Sequence, residues 1–422
     1  MKYIVFTYPN YSHNKSIANF IKELSFNSNC EVYLFGNDEF KNIFADSNIT
    51  FIPYPKGITN SLGNIVDAYN GLHKPTFNNL LEEVNYKGIF NTEYAIKSCL
   101  LYTSALIDTV KEINPDIILR DSCSLYGKFI GDSLSIPVIG YITNLVYTSN
   151  LIKTDIIKHF SNVLGLNLSN FSKDEVMDTY NSFENSVLDL CKKYKIPKIT
   201  PLFTLDPNEN FNIIFASQLL QPKLLNSSDI EYKISKPAIF SYMDKELVPE
   251  KKEKLIYVST GSILTPPISF LNSIICAFKN SQYRVVISFP LAEDSRLTYN
   301  LPNNITIKKF VAQNEILEKA CLFITHGGYN SLCESIYHLV PMLVYPLSND
   351  QHLNASLIDN LQIGMDLRKY DLTPKTIKEL SKITIDNELF IKNLINLKLS
   401  FNETLSYTEI IDSLNNIYNS KG

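Results

Sequence analysis

The densest chemistry in the chain lies in Phe323-Ile324-Thr325-His326-Gly327-Gly328-Tyr329-Asn330-Ser331-Leu332-Cys333-Glu334. An apolar, β-rich run ends at Thr325, two glycines turn the chain, and a helix is expected from about Asn330. Asn330 and Ser331 fit the N-cap and first-turn positions. Such a junction binds anions, because the first N–H groups of a helix lack partners and its dipole is positive there. Glycines let a phosphate reach the backbone, and His326 adds a donor beside it. Glu334, one turn on, can accept hydrogen bonds from ribose hydroxyls. A Gly-Gly pair alone is a plain turn and Asn-Ser a plain cap. With His326 and Glu334, directly after a strand, the set points to a nucleotide site.

A second polar group follows the apolar run Met342–Tyr345. Asp350 and Gln351 then face the same crevice as His326, since ligands of parallel sheets sit beyond the carboxyl ends of the strands. A carboxylate that accepts beside an amide that accepts and donates suits a ring of sugar hydroxyls. Taken alone, Asp350 reads as a helix cap.

The elements that must hold these groups alternate strand, loop and helix. Tyr3–Thr7, Glu31–Phe35, Asp116–Leu119 and Ile136–Tyr141 read as strands in the first half. Leu255–Ser259, Arg284–Phe289, Ile305–Phe310, Leu322–Thr325 and Met342–Tyr345 follow in the second. Apolar runs alternating with helical patterns imply parallel, doubly wound α/β sheets, and two such series imply two domains. Between about Gln218 and Glu253 the periodicity fades around three prolines, as in a linker. The expected division is a first domain over 1–225, a linker over 226–253, a second domain over 254–400 and a terminal helical segment over 401–422. That segment, about Tyr407–Asn419, is a candidate to pack back on the first domain, which periodicity alone does not decide.

Composition narrows the function. The 422 residues carry 39 Lys+Arg against 43 Asp+Glu, which disfavours a protein that coats nucleic acid. With 45% hydrophobic and 19% charged residues the chain is expected to fold rather than stay disordered. Seven cysteines without a C-x-x-C spacing argue against a disulfide framework or zinc ribbon, and fit reduced thiols in a cytoplasm. No signal peptide is expected at Met1–Tyr8. The uncharged stretch Ser133–Ile152 reads as a buried strand plus loop rather than a membrane span.

These residues also carry a family resemblance. Phe310-Val311-Ala312-Gln313, His326 through Ser331, and Asp350-Gln351-His352-Leu353-Asn354-Ala355 resemble the nucleotide-sugar signature of the UDP-glycosyltransferase superfamily, glycosyltransferase family 1, closest to the bacterial macrolide-type enzymes. Leu255 through Ser262 resembles the first strand and phosphate-contacting turn of its C-terminal domain. Phe211 through Ser217 and Gln221-Pro222 resemble the end of its N-terminal domain. The resemblance implies the GT-B fold, two Rossmann-like domains facing a cleft, with the acceptor on the first and the sugar nucleotide on the second.

Carried over by position, the resemblance implies that Phe310 stacks on the uracil, with Val311 and Gln313 nearby. Ser262, His326, Asn330 and Ser331 hold the diphosphate and Gly328 permits close approach. Glu334 binds ribose, and Asp350 and Gln351 hold the sugar. The family's base is a histidine in the first loop of the N-terminal domain, here His13, oriented by an aspartate at the end of a later strand, here Asp121. A histidine near pKa 6.5 is suited to take a proton from a hydroxyl nucleophile, and a carboxylate on its other nitrogen fixes the tautomer. The chain departs from the family at Ser12, where Gly is usual, at Tyr329 and Phe310, where Trp is frequent, and at Ala312, where Pro is usual. No D-x-D motif occurs, so no essential metal is expected.

The expectation is an inverting GT-B transferase moving a hexose, glucose from UDP-glucose, to a hydroxyl of a small lipophilic acceptor. It would act in the cytoplasm as monomer or homodimer, without nucleic-acid or membrane partners. The competing readings are a GT-B sugar-nucleotide epimerase and a catalytically silent nucleotide-sugar-binding protein.

Overall fold

The structure, a computed structural model, describes residues 1–27, 29–55, 79–223, 230–240, 252–261, 266–291, 301–347 and 350–419. The chain divides into two compact units, Met1–Ser241 with Glu403–Gly422, and Tyr242–Asn402.

The first unit is built on β1 (Lys2–Phe6), β2 (Glu31–Gly36), β3 (Ile49–Pro53), β4 (Ile117–Asp121), β5 (Val138–Ile142), β6 (Phe211–Phe215) and β7 (Glu231–Ser235). They lie in the order β3-β2-β1-β4-β5-β6-β7, all parallel. The second unit holds β8 (Leu255–Ser259), β9 (Arg284–Ser288), β10 (Ile305–Lys308), β11 (Leu322–Thr325), β12 (Met342–Val344) and β13 (Gly364–Asp366). Their order is β10-β9-β8-β11-β12-β13, again all parallel. Each sheet reverses direction once, between β1 and β4 and between β8 and β11. Those reversals are where α/β sheets open a crevice for ligands.

The strands read from the sequence are present, some trimmed by a residue or two. Phe310 lies past the end of β10 rather than in it. β3, β7 and β13 are not among the strands read from the sequence: β3 carries Ile49, Phe51 and Ile52 but is short and ends on a proline, while β13 and β7 carry little apolar pattern. β7 also shortens the linker expected over 226–253, because residues 231–235 pair with β6 inside the first sheet.

Packing follows the expected faces. The helix Tyr11–Phe26 buries Ile17, Phe20, Ile21 and Leu24, spaced so that they share one face. It starts at Asn10, whose side chain accepts from Ser12 N at 2.9 Å. Phe20 meets Phe215 at a tilt and Tyr407 edge to face, each with ring centroids 5.6 Å away. Truncating it to Ala would cost about 3–5 kcal/mol. Tyr407, Ile410, Ile411 and Leu414, from the helix Tyr407–Asn419, complete this core, so the terminal helix belongs to the first unit. The second core gathers Ile256, Val258, Phe270, Ile287, Ile324 and Leu343. No helix among the described residues is long and apolar enough to cross a membrane.

Candidate active site

Both candidate clusters sit at the reversal point of their own sheet. In the first unit, β1 is followed by the helix that carries His13, and β4 ends on Asp121. His13 is the third residue of that helix, not a loop residue as the resemblance implied. The helix start faces the strand ends, and so does the ring.

His13 Nδ1 lies 2.8 Å from Asp121 Oδ2 and 3.1 Å from Thr143 Oγ1. Asp121 is fully buried, while His13 keeps about a quarter of its side chain exposed (24%). An ionised carboxylate only accepts hydrogen bonds, so Nδ1 carries the proton and Nε2 is the basic nitrogen. Asp121 Oδ1 accepts from Cys123 N at 2.9 Å. Its two oxygens are thus held by different elements, and the ring packs against Tyr8 with centroids 5.0 Å apart.

Arg120, also fully buried, does not pair with its neighbour's carboxylate. Its Nε donates to Glu209 Oε1 at 2.8 Å, one terminal nitrogen donates to the carbonyls of Asp121 (3.1 Å) and Ser122 (3.0 Å), and the other to Pro207 O (2.6 Å). Lys128 adds a second cation on Glu209 at 2.8 Å. A guanidinium therefore fixes the backbone on which Asp121 stands.

In the second unit the helix Tyr329–Tyr337 starts one residue earlier than expected, with Gly328 at the N-cap. Asn330 and Ser331 then occupy the first turn, the part of a helix whose backbone N–H groups have no partner within the helix itself and whose dipole favours an anion. His326 follows β11, its ring seated against two glycines. A Cβ on Gly328 would lie 2.6 Å from His326 Nε2, and one on Gly261 2.9 Å from the same atom. Gly261 and Gly327 adopt φ of +85° and +84°, where other residues are strained. The glycine at 328 thus makes room first for the imidazole. Burial pushes His326 down to about 4, so the ring is neutral at neutral pH.

His326 Nδ1, Thr260 Oγ1 and Asn354 Oδ1 are buried without a hydrogen-bond partner among the described residues. Buried polar atoms are rarely left so, and each such atom calls for an explanation. All three come from elements around the ends of β8, β11 and β12. Asn354 is anchored there by donating to Gly327 O at 2.8 Å and to Asp350 Oδ2 at 3.4 Å. Asp350 opens the helix Asp350–Asn360, and Gln351 Oε1 accepts from Leu347 N at 2.8 Å.

Gln313 starts the helix Gln313–Lys319 and ties the other side of the site together. Its Nε2 donates to Glu334 Oε2 at 2.6 Å and to Ser331 Oγ at 3.1 Å, and its Oε1 accepts from Tyr257 OH at 3.2 Å. Glu334 is buried, whereas Phe310 stands 76% exposed beside Val311, just before this helix. Ser262 lies outside the described residues.

Sequence reasoning missed Thr143 and Arg120 with Glu209, and gave no role to Asn354, Gly261 and Tyr257, although these lie in the segments that carry the family resemblance. Thr143 directly follows β5 and Gly261 lies two residues past the end of β8, next to the reversal points, a positional signal that was available. The network around Arg120 joins residues nearly ninety positions apart, with no local signature. His13, Asp121 and Cys123 bring one potential ligand atom each within 4.8 Å of one another.

Two all-parallel units with a polar cluster at each reversal define a pair of Rossmann-like domains of the GT-B class. Residues 208–402 match the family model described as UDP-glucoronosyl and UDP-glucosyl transferase, and the likeness to that family supports reading the chain as a glycosyltransferase. NDP-glycosyltransferase YjiC of Bacillus subtilis (strain 168) is 26% identical over 304 residues, 71% of this chain and 72% of that protein. The glycosyltransferase of kitacinnamycin shares the fold with a TM-score of 0.69 at 17% identity, covering 98% of each chain. Glycosyltransferase VinC, solved in complex with dTDP, aligns over 100% of both chains with a TM-score of 0.67 at 15% identity.

Proposed function

We propose that the chain is an inverting glycosyltransferase that moves a hexose, glucose from UDP-glucose, to a hydroxyl of a small lipophilic acceptor. The observation that carries this reading is the 2.8 Å contact between His13 Nδ1 and Asp121 Oδ2 at the end of β1 and β4. With Nδ1 committed to Asp121, Nε2 takes the acceptor's hydroxyl proton as the oxygen attacks the anomeric carbon. The new C–O bond forms as the bond from that carbon to the diphosphate oxygen breaks. An α-linked donor gives a β-glycoside, and the electron pair leaves with UDP.

The leaving diphosphate acquires charge, and the start of the helix Tyr329–Tyr337 with Asn330, Ser331 and neutral His326 is suited to receive it. Glu334 would accept from the ribose, Phe310 would offer an aromatic face to the base, and Asp350 and Gln351 would meet the sugar hydroxyls. Without a D-x-D pair in the sequence, these donors rather than a resident metal would carry the diphosphate. The structure of VinC with dTDP supports a nucleoside diphosphate as the ligand class.

The test is mass spectrometry of wild type and His13→Ala with UDP-glucose and a panel of phenols and macrolides. Transfer by wild type, reduced by about 10²–10⁴-fold in the variant, is the expected result. Unchanged transfer by His13→Ala would remove His13 as base. Altered sugar nucleotide without any glycoside would replace transfer by epimerisation.

A further inference from the structure

The turn after β4 places Cys123 beside the His13–Asp121 pair. Ser122 and Cys123 form this turn before the helix Leu125–Leu134. The thiol, the imidazole nitrogen and the carboxylate lie within 4.8 Å of one another, with the closest pair, Nδ1 and Oδ2, at 2.8 Å. Cys123 is half-buried and His13 partly exposed, so the group is open to solvent on one side while Asp121 closes the other.

One nitrogen, one oxygen and one sulfur suit a borderline-soft divalent ion of the zinc type. Bond lengths of about 2.0–2.3 Å put tetrahedral ligand pairs roughly 3.3–3.7 Å apart. With the closest pair at 2.8 Å and none beyond 4.8 Å, side-chain adjustments of about an ångström close the site. A thiolate and a carboxylate supply two negative charges, which a divalent ion neutralises. The Cys123 N–H already turns Asp121 Oδ1 towards the thiol's own turn at 2.9 Å. The fourth position is left for water or for Thr143 Oγ1, 3.1 Å from the same ring nitrogen.

We propose that His13, Asp121 and Cys123 form a three-ligand site for a divalent transition metal, and that its occupancy switches the enzyme off. Binding shifts the imidazole's one proton from Nδ1 to Nε2, releases the thiol proton to solvent, and forms metal–nitrogen, metal–oxygen and metal–sulfur bonds. A neutral imidazole bound through Nδ1 carries its one proton on Nε2. Nε2 then cannot accept a proton from a hydroxyl. The inhibitory consequence rests on His13 as base, whereas metal binding itself does not.

The experiment titrates metal-free full-length protein with Co²⁺, reading the sulfur-to-metal charge-transfer band, and with Zn²⁺ against a chromophoric chelator. Wild type and Cys276→Ser, which removes an exposed thiol elsewhere, should bind one equivalent with the band. Cys123→Ala should lose the band, and His13→Gln should bind at least about tenfold more weakly. Absence of the band in wild type, or its persistence in Cys123→Ala, overturns the site. In parallel, Zn²⁺ should suppress transfer by wild type reversibly on chelation, and Cys123→Ala should need at least about tenfold more Zn²⁺ to halve its own rate. Equal sensitivity of the two proteins overturns the switch. A band lost in Cys123→Ala, from a metal-free protein that transfers no sugar, supports the site and sinks the transferase reading instead.

Discussion

Gln313 Nε2 donates to Glu334 Oε2 at 2.6 Å, so the residue nearest the proposed base-binding loop holds the carboxylate proposed for the ribose. Tyr257 OH fixes the amide's other end at 3.2 Å, which sets its orientation. A hydrogen bond to a charged group contributes about 1.5–3 kcal/mol. Gln313→Leu should therefore weaken UDP binding by roughly tenfold to a hundredfold, with a smaller effect on kcat. Isothermal titration with UDP checks this, and an unchanged Kd would show that Glu334 needs no such partner.

Asp121→Asn keeps the shape of the pair but lets the amide donate. The ring can then present Nδ1 as acceptor and carry its proton on Nε2, the wrong nitrogen for a base. Transfer should fall by about 10²–10⁴-fold while UDP affinity stays put, because Asp121 and the nucleotide cluster belong to different units. Loss of UDP binding in this variant would contradict the division of labour.

Gly328→Ala would set a methyl group 2.6 Å from His326 Nε2, and the ring has to move. Overpacking of this kind costs about 1–3 kcal/mol. The expected outcome is a folded protein with weakened UDP binding, read by titration beside a thermal melt. Gly261→Ala should be worse, since a strained φ of +85° is added to the contact at 2.9 Å.

Stability should fall as the solution is acidified from pH 6.5 towards 4. Burial lowers His326 and His338 each to about 4, so between that value and about 6.5 the unfolded chain binds more protons. Asp206 opposes them, because burial raises it to about 6 and the folded state takes up a proton in that window. Two histidines outweigh one aspartate. Asp206→Asn should steepen the loss and His338→Gln should flatten it, in urea titrations followed at several pH values. A stability that rises on acidification through this range would reject the assignment.

Arg120→Met should destabilise the first unit by about 3–5 kcal/mol, since Glu209 loses its buried partner and only Lys128 remains. Urea unfolding measures this. A conservative Lys at the same position should recover part of the charge but little of the backbone clamp on Asp121 and Ser122.

The class of fold was legible because strands buried on both faces, such as Val5 or Ile324 and their neighbours, form continuous apolar runs. β7, with the sequence Glu231-Tyr232-Lys233-Ile234-Ser235, lies at the sheet edge and is largely half-exposed, so it reads like linker. The nucleotide cluster was legible because most of its members fall within two short segments. What His326 packs against was not, because Gly261 reaches it from 65 positions away. Cys123 gains meaning only when the helix after β1 brings His13 beside the end of β4.

The helix Tyr407–Asn419 also has a consequence for how the protein is made. Tyr407, Ile410, Ile411 and Leu414 fill the same core as Phe20 and Phe215, yet the whole second unit intervenes in sequence. During synthesis the first unit emerges early with an apolar gap that its own neighbours cannot fill. The second unit can close its core some residues before that gap is filled. The part begun first is finished last, and until residue 414 is available its hydrophobic groove is exposed to whatever else can occupy it.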